Sequence, residues 1–291
     1  MKSPKISVRR SSRLSNNIST QETIMSNVQN FYDENVQNEW DRLGIRHRTE
    51  LAVTLRALKE FLPPAPARVV DIGGGPGRYT FALTESGYRV SLVDLSPGNL
   101  AFAREKAIEL NLHPEQILQA NALDLSIFPA QSFDAALLMG PLYHLWAYEE
   151  RLQALRETWR LLKPGGTVFA TFISRFAAFR DGASKGFAWV LEEPDTNEKL
   201  LTTGVNVGDE DGFTDAYFAH PDEVIPLGEA AGFKTIYRMG CQGVAAGHET
   251  YINSLEGKDF ETWADLNYRI SKDPAAIGAS DHILYIGRKQ E

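Results

Sequence analysis

The stretch Val69-Val70-Asp71-Ile72-Gly73-Gly74-Gly75-Pro76-Gly77-Arg78-Tyr79 decides how this 291-residue chain folds. A β-branched run that ends in an acid and opens into glycines reads as a buried strand entering a tight turn and then a helix. Such a turn sets backbone N–H groups at the carboxyl edge of a parallel sheet, where loops diverge and ligands bind. Spacing tests which ligand. A phosphate-cradling P-loop needs Lys and then Ser or Thr after its second glycine, and here Arg78 and Tyr79 follow Gly77. The dinucleotide fingerprint would start at Gly73 and Gly75 and meets Arg78 where its third glycine belongs. What stands here is D-x-G-x-G-x-G, formed by Asp71, Gly73, Gly75 and Gly77.

Working outward, Val36, Trp40 and Leu43 form one helical stripe, and Leu51, Leu55, Leu58 and Leu62 form a second that Pro63 and Pro64 stop. Downstream, short apolar runs at 89–93, 117–120, 133–139 and 167–173 alternate with helical patterns. Pro97 is suited to the first turn of one helix, and Leu152, Leu155, Trp159 and Leu162 fall on one face of another. Strands alternating with helices specify a parallel sheet with right-handed crossovers. Residues 174–219, rich in glycine, read as an irregular insertion. A helix over 221–231 leads to a strand at 233–237. Residues 248–280 read as largely helical with Trp263, Leu266 and Ile270 in register, and 282–287 is a last strand, the seventh.

Composition bounds the function. With 43% apolar and 23% charged residues the chain is an ordinary globular protein. The uncharged stretch 135–148 contains Gly140, Pro141 and His144 and falls short of the ~18–20 apolar residues of a membrane span. One cysteine, Cys241, forms no internal disulfide, and six scattered histidines offer no metal framework. The first 30 residues carry Lys2, Lys5, Arg9, Arg10 and Arg13 against Glu22 alone, with no aromatic side chain. Residues 1–28 therefore read as a disordered basic extension; Arg- and Ser-rich, it resembles a mitochondrial leader, with Met25 an alternative start. A cytoplasmic location is the other expectation. The net charge of −8 leaves the remainder acidic, which opposes a phosphate backbone as partner.

Three further strand ends carry nucleoside-compatible groups. Asp94 closes the second strand, 23 residues after Asp71, where a carboxylate accepts from ribose hydroxyls. Ser96 competes for capping the following helix. Asn121 and Ala122 follow the third strand and pair a side-chain acceptor with a backbone N–H, as the amino edge of adenine requires, and Asp124 is an alternative acceptor. Met139-Gly140-Pro141 follows the fourth.

With VVDIGGGPGRY, RVSLVDLSP, NALDL, FDAALLMGPLYHL and LLKPGGTVFATFI, the chain resembles the class I S-adenosyl-L-methionine-dependent methyltransferases over residues 31–173, and again at GFKTIYRMGCQG and HILYIGRK. The resemblance implies an α/β fold: a Rossmann-like, seven-stranded, mostly parallel sheet with helices on both faces and an antiparallel last strand. It makes residues 29–291 one methyltransferase domain, with 174–219 and 240–281 as insertions that cover the substrate. S-adenosylmethionine is the implied cofactor. Asp71, Gly73 and Gly75 would line its methionine half, Asp94 its ribose, Asn121 and Ala122 its adenine, with Met139 beneath. Asn121 departs from the family, which is often acidic there.

Candidates for chemistry are His144, as base, substrate ligand or a backbone-bonded helix start, and Tyr143, which packs or orients a substrate. Tyr32 either folds the amino-terminal helix over the cofactor or belongs to simple helix packing. Arg46, His47 and Arg48 are a solvated face or an anion contact. His220 reads as a helix cap, Cys241 as inert. After strand four, base-modifying methyltransferases place an Asn or Asp, then two prolines and an aromatic; Gly140-Pro141-Leu142-Tyr143 lacks that acceptor. The expectation is methyl transfer to nitrogen or oxygen of a small organic acceptor, without nucleic acid, membrane or metal. A catalytically silent S-adenosylmethionine-binding subunit and an NAD-dependent oxidoreductase remain the alternatives.

Overall fold

The computed structural model describes residues 21–186, 189–208 and 213–290. The chain enters through α1 (Gln21–Glu34) and α2 (Val36–Asp41), a π-helical turn over Arg42–Arg46, and α3 (Arg48–Phe61). Then β1 (Arg68–Ile72), α4 (Arg78–Glu85), β2 (Arg89–Asp94), α5 (Pro97–Glu109), β3 (Gln116–Gln119) and β4 (Phe133–Leu138) alternate. The helix α6 (Tyr148–Leu161) runs straight into the long β5 (Leu162–Ser174), so the Lys-Pro-Gly-Gly turn opens a strand. Next come α7 (Ala177–Lys185), α8 (Trp189–Glu192), α9 (Pro194–Thr203), β6 (Val205–Asn206) and β7 (Ala216–Ala219). The chain closes with α10 (Val224–Ala230), β8 (Phe233–Gly240), α11 (Glu249–Asn253), α12 (Gly257–Ser271) and β9 (His282–Lys289).

Strands β3, β2, β1, β4 and β5 pair in parallel, and β9 is antiparallel to both β5 and β8. Alternate side chains of each strand feed different cores, as the two-residue pleat requires. Val70, Ile72, Ala136, Leu138, Val168, Ala170, Ile283 and Tyr285 fall in one cluster. Val69, Ala135, Leu137, Phe169, Leu284 and Ile286 fall in the other. Burial on both faces is why these strands are apolar almost without interruption.

The expected strands all form, and β6 and β7 add to them. β5 overshoots β4 by four residues, from Ala170, which pairs Leu138, to Ser174. Its far flank is occupied by β9, so the overshoot takes β7 on the flank β4 has vacated, through Ile173↔Phe218 and Ser174↔Ala219. That places β7 directly beyond the carboxyl end of β4.

Three expectations are corrected. The described residues of 174–219 are not irregular: Gly186 and Gly204 hold left-handed φ of 69° and 74° and end α7 and α9 as C-caps, and Pro194 starts α9. Gly and Pro there punctuate helices. In α12 the buried face is Phe260, Ala264, Asn267 and Ser271, while Leu266 is exposed, so its register differs from the expected one. The helix α1 begins inside the stretch expected to lack structure, with Ile24 and Val28 buried; residues 1–20 lie outside the described residues.

α10 packs on the sheet through Gly228, where a Cβ would come within 2.3 Å of Cζ of the fully buried Tyr285. Alanine there gains up to ~1 kcal/mol of helix propensity, against ~1–3 kcal/mol for overpacking a fixed aromatic ring. Gly228→Ala is therefore expected to lower the denaturant midpoint without changing the slope of the transition.

Candidate active site

The carboxyl ends of β1, β2 and β4 and the segment after β3 open on one cleft. Ten of the residues singled out from sequence line it: Tyr32, Asp71, Gly73, Gly75, Asp94, Asn121, Ala122, Met139, Tyr143 and His144. The glycines follow from the tight return of the chain. Gly73 holds φ +66°, and a Cβ on it would lie 2.5 Å from the ring of Pro141, so the loops after β1 and β4 touch through a position that only glycine fills.

Asp71 is fully buried. Its Oδ2 accepts from Thr80 Oγ1 at 2.7 Å, and its Oδ1 has no partner among the described residues. Burial pushes this carboxyl up to about 6; the Thr80 bond opposes the shift and the charge of Asp94 adds to it. Asp94 is better supplied. Oδ2 accepts from Gly75 N–H at 2.8 Å, and Oδ1 accepts from Ser96 N–H at 2.9 Å and from Asn99 Nδ2 at 3.3 Å. Burial still raises its pKa against these donors. A carboxylate offers about four acceptor sites, so three internal donors leave room for one more. Asp94 thus fastens the glycine loop as well as facing the cleft.

Asn121 faces the cleft but spends its side-chain oxygen on Leu123 N–H at 2.9 Å. Asp124, the alternative acceptor, does not line the cleft; it accepts from Ser126 N–H at 3.0 Å. Ser96 caps α5 by accepting from Asn99 N–H at 3.0 Å.

His144 is buried with both ring nitrogens engaged. Nδ1 lies 3.1 Å from the carbonyl oxygen of Asp215 and so carries the proton, which makes Nε2 the acceptor of the Tyr32 hydroxyl at 2.8 Å. Burial holds this imidazole neutral, its pKa down to about 4. Burial also pushes the Tyr143 phenol up, and its hydroxyl reaches Met139 O only at 3.4 Å. Both side chains wall the cleft, and neither is poised to take a proton.

The roof is α1. Met25 and Val28 line the cleft from above. Asn27 Nδ2 donates to Asp215 Oδ2 at 3.2 Å, and Asp33 Oδ1 accepts from Ser96 Oγ and from Gly98 N–H. Phe213 stacks near His144 and Tyr143, so 174–219 reaches the site through Phe213 and Asp215. Residues 240–281 contribute nothing to the described lining. They dock on α3, where Ala52 meets Ala245, Ile252, Phe260 and Ala264. The Arg46-His47-Arg48 group serves that docking: His47 Nδ1 meets Glu249 Oε2 at 2.7 Å, and Arg48 donates to Asn253 O and Leu255 O. Arg46 keeps the solvated face: it is exposed and its guanidinium donates to Asn38 O at 2.9 Å. His220 caps its turn, accepting from Asp222 N–H, and Cys241 is buried with burial raising its thiol.

Sequence reading missed Glu39 and Arg42, which line the cleft one helical turn apart. Arg42 donates from Nε to Glu39 at 2.6 Å and from Nη1 to the buried Glu50 at 3.1 Å. Burial works against its charge, but Glu50 and Glu39 outweigh burial and raise its pKa. The i, i+3 spacing of Glu39 and Arg42 beside Trp40 was the available signal.

Residues 70–170 match the family model described as a methyltransferase domain. The chain is 31% identical over 147 residues to a ubiquinone/menaquinone biosynthesis C-methyltransferase of Nitrobacter hamburgensis, covering 49% of this chain and 55% of that one. It is 32% identical over 126 residues to a ubiquinone biosynthesis O-methyltransferase of Xanthomonas axonopodis pv. citri, covering 43% and 51%. The chain thus spans about half the length of these relatives. Among solved structures it resembles a possible histamine N-methyltransferase of Thermotoga maritima, with TM-score 0.55, 20% identity and coverage of 90% and 99%. It also resembles the 1,6-didemethyltoxoflavin-N1-methyltransferase of Burkholderia thailandensis, with TM-score 0.56, 15% identity and coverage of 96% and 94%. These structures share the fold.

A carboxyl raised on folding stabilises the native state fully below its unfolded pKa and loses that contribution as pH rises through its folded pKa. For Asp71 the window runs from 3.8 to about 6. Asp71→Asn is therefore expected to gain stability relative to the parent between pH 4 and 7, by an amount on the order of 1–3 kcal/mol. Urea unfolding at the two pH values measures the difference, and a pH-independent difference would refute the assignment.

Proposed function

We propose that this chain, whose residues 70–170 belong to the class I S-adenosylmethionine-dependent methyltransferases, transfers the methyl group of S-adenosylmethionine to a nitrogen or oxygen of a small organic acceptor. The observation that carries the reading is the convergence of four successive strand ends, with Tyr32, Tyr143 and His144, on a single cleft.

The residues fit the cofactor. Its methionine half bears an ammonium, and Asp71 Oδ1 is a buried anionic oxygen without a partner. Its ribose bears hydroxyl donors, and Asp94 has acceptor capacity beyond the donors it already holds. Asn121 and Ala122 lie where the adenine would be held, and Met139 beneath it. When bound, the cofactor supplies a methyl on a cationic sulfur that an in-line nucleophile displaces.

The chain's own contribution is to position and to exclude water. Holding two reactants in near-attack geometry is worth ~7–11 kcal/mol, and a nucleophile that arrives deprotonated needs no base. That agrees with His144 and Tyr143 serving as fixed walls: His144 holds Tyr32, and Tyr32 holds α1 across the opening. The relatives' names cover carbon and oxygen acceptors, and the two structural neighbours are named for a nitrogen, so the acceptor atom is a matter for the cleft wall rather than the scaffold.

Calorimetric titration tests this reading. S-adenosylmethionine and S-adenosylhomocysteine are expected to bind, with NAD silent, and Asp94→Ala to weaken both by ~1–3 kcal/mol. Absence of binding by either sulfur nucleoside sinks the proposal; binding without turnover on any acceptor favours the silent-subunit alternative.

A further inference from the structure

We infer that Glu39 is the acceptor-recognising carboxylate of the cleft and that it selects acceptors bearing a cationic amine. This deepens the methyltransferase reading and rests on it.

The argument is one of charge and commitment. Glu39 Oε1 receives Arg42 Nε at 2.6 Å, while Oε2 has no hydrogen-bond partner among the described residues, on a side chain that lines the cleft. Arg42 does not cancel that charge, because it is shared. Its Nη1 turns to Glu50 at 3.1 Å, and Glu50 is 4% exposed. Glu50 is fixed in turn by Gln242 Nε2 at 3.1 Å and lies 3.3 Å from His282 Nδ1. Burial keeps that histidine neutral, its pKa down to about 4, so it adds no positive charge. Two carboxylates therefore share one guanidinium, and the surplus negative charge is on the member that faces the cleft.

The other cation on the wall is Arg78, which has no carboxylate partner among the described residues; it lies 3.6 Å over the Trp40 ring and donates from Nε to Trp40 O at 2.8 Å, so it is held on Trp40 and not on Glu39. An ammonium would gain a charge-assisted bond to Oε2 beside the rings of Tyr32 and Tyr143, whose faces favour cations. Glu50, Gln242 and His282 are positioning residues: they hold Arg42, which aims Glu39.

The test uses the full chain saturated with S-adenosylhomocysteine, which has no methyl to give, titrated with 2-phenylethylamine, 2-phenylethanol and phenylacetate. The amine is expected to bind tightest and phenylacetate weakest. Glu39→Gln keeps an oxygen for Arg42; it is expected to weaken the amine by at least about tenfold and leave the alcohol within about twofold. Retained binding of S-adenosylhomocysteine shows that the variant is folded. A second readout needs no variant: raising ionic strength must weaken the amine and spare the alcohol. No preference for the amine, or an amine affinity indifferent to Glu39→Gln, overturns the assignment alone. Loss of S-adenosylhomocysteine affinity in a variant that unfolds like the parent moves Glu39 to the cofactor and also overturns it. Failure of the parent to bind S-adenosylhomocysteine overturns the underlying reading and this inference with it.

Discussion

The carboxylate of Asp71 cannot reach water, and the site is built around that constraint. It lies one residue before the end of β1, a strand with parallel neighbours on both sides. The chain must turn away there on both flanks, toward β2 by way of α4 and from β4 toward β5, and the crevice opens where the strand order reverses. Thr80, one turn into α4, donates its hydroxyl to the Asp71 carboxylate and so fixes the helix to the strand. The loop between them can only be glycine-rich: a Cβ on Gly74 would lie 2.6 Å from Asp71 Cγ and one on Gly73 would strike Pro141. An anion buried at an energetic cost, with one oxygen unanswered, is an expense that folding alone does not explain.

The roof over this floor is held differently. α1 buries Ile24 and Val28, but its links across the cleft are polar: Asn27 to Asp215, Tyr32 to His144, and Asp33 to Ser96 and Gly98. Each such bond is worth ~1 kcal/mol net, because water replaces it on opening. The carboxyl-terminal segment 240–281 instead braces α3 and, through Gln242, the Glu50–Arg42 pair, with His282 of β9 beside it. It shapes the cleft wall from behind.

The Rossmann-like core was legible because its signals are local. A β-branched run closed by Asp71 and an apolar run closed by Asp94 each announce a strand end. The two-sided burial of β4 is visible in its unbroken apolar sequence. What escaped was the part whose meaning depends on distant partners. Gly186, Pro194 and Gly204 read as breaks, and only the φ values at the two glycines and the helices on either side show them to be caps. Leu266 and Ala264 are indistinguishable as inward residues until Ala52 of α3 is known to face Ala264. Glu39 and Arg42 look like an ordinary surface ion pair until α2 is placed against the cleft. Asp94 was read as a ribose ligand on its position, and its three internal donors could not be foreseen from spacing.

His144 joins floor and roof, and its chemistry explains why an imidazole stands there. Its neutral tautomer is set by the Asp215 carbonyl, which demands a proton on Nδ1 and leaves Nε2 to accept from Tyr32. A protonated ring would offer two donors, and the Tyr32 hydroxyl would have to turn away from α1's anchoring direction to meet it. Burial, by carrying this pKa down to about 4, keeps the acceptor available throughout the neutral range. The same burial that keeps His144 neutral thus secures its hydrogen bond to the amino-terminal helix, and on the reading proposed above the recognition of an acceptor falls to a carboxylate that lines the cleft.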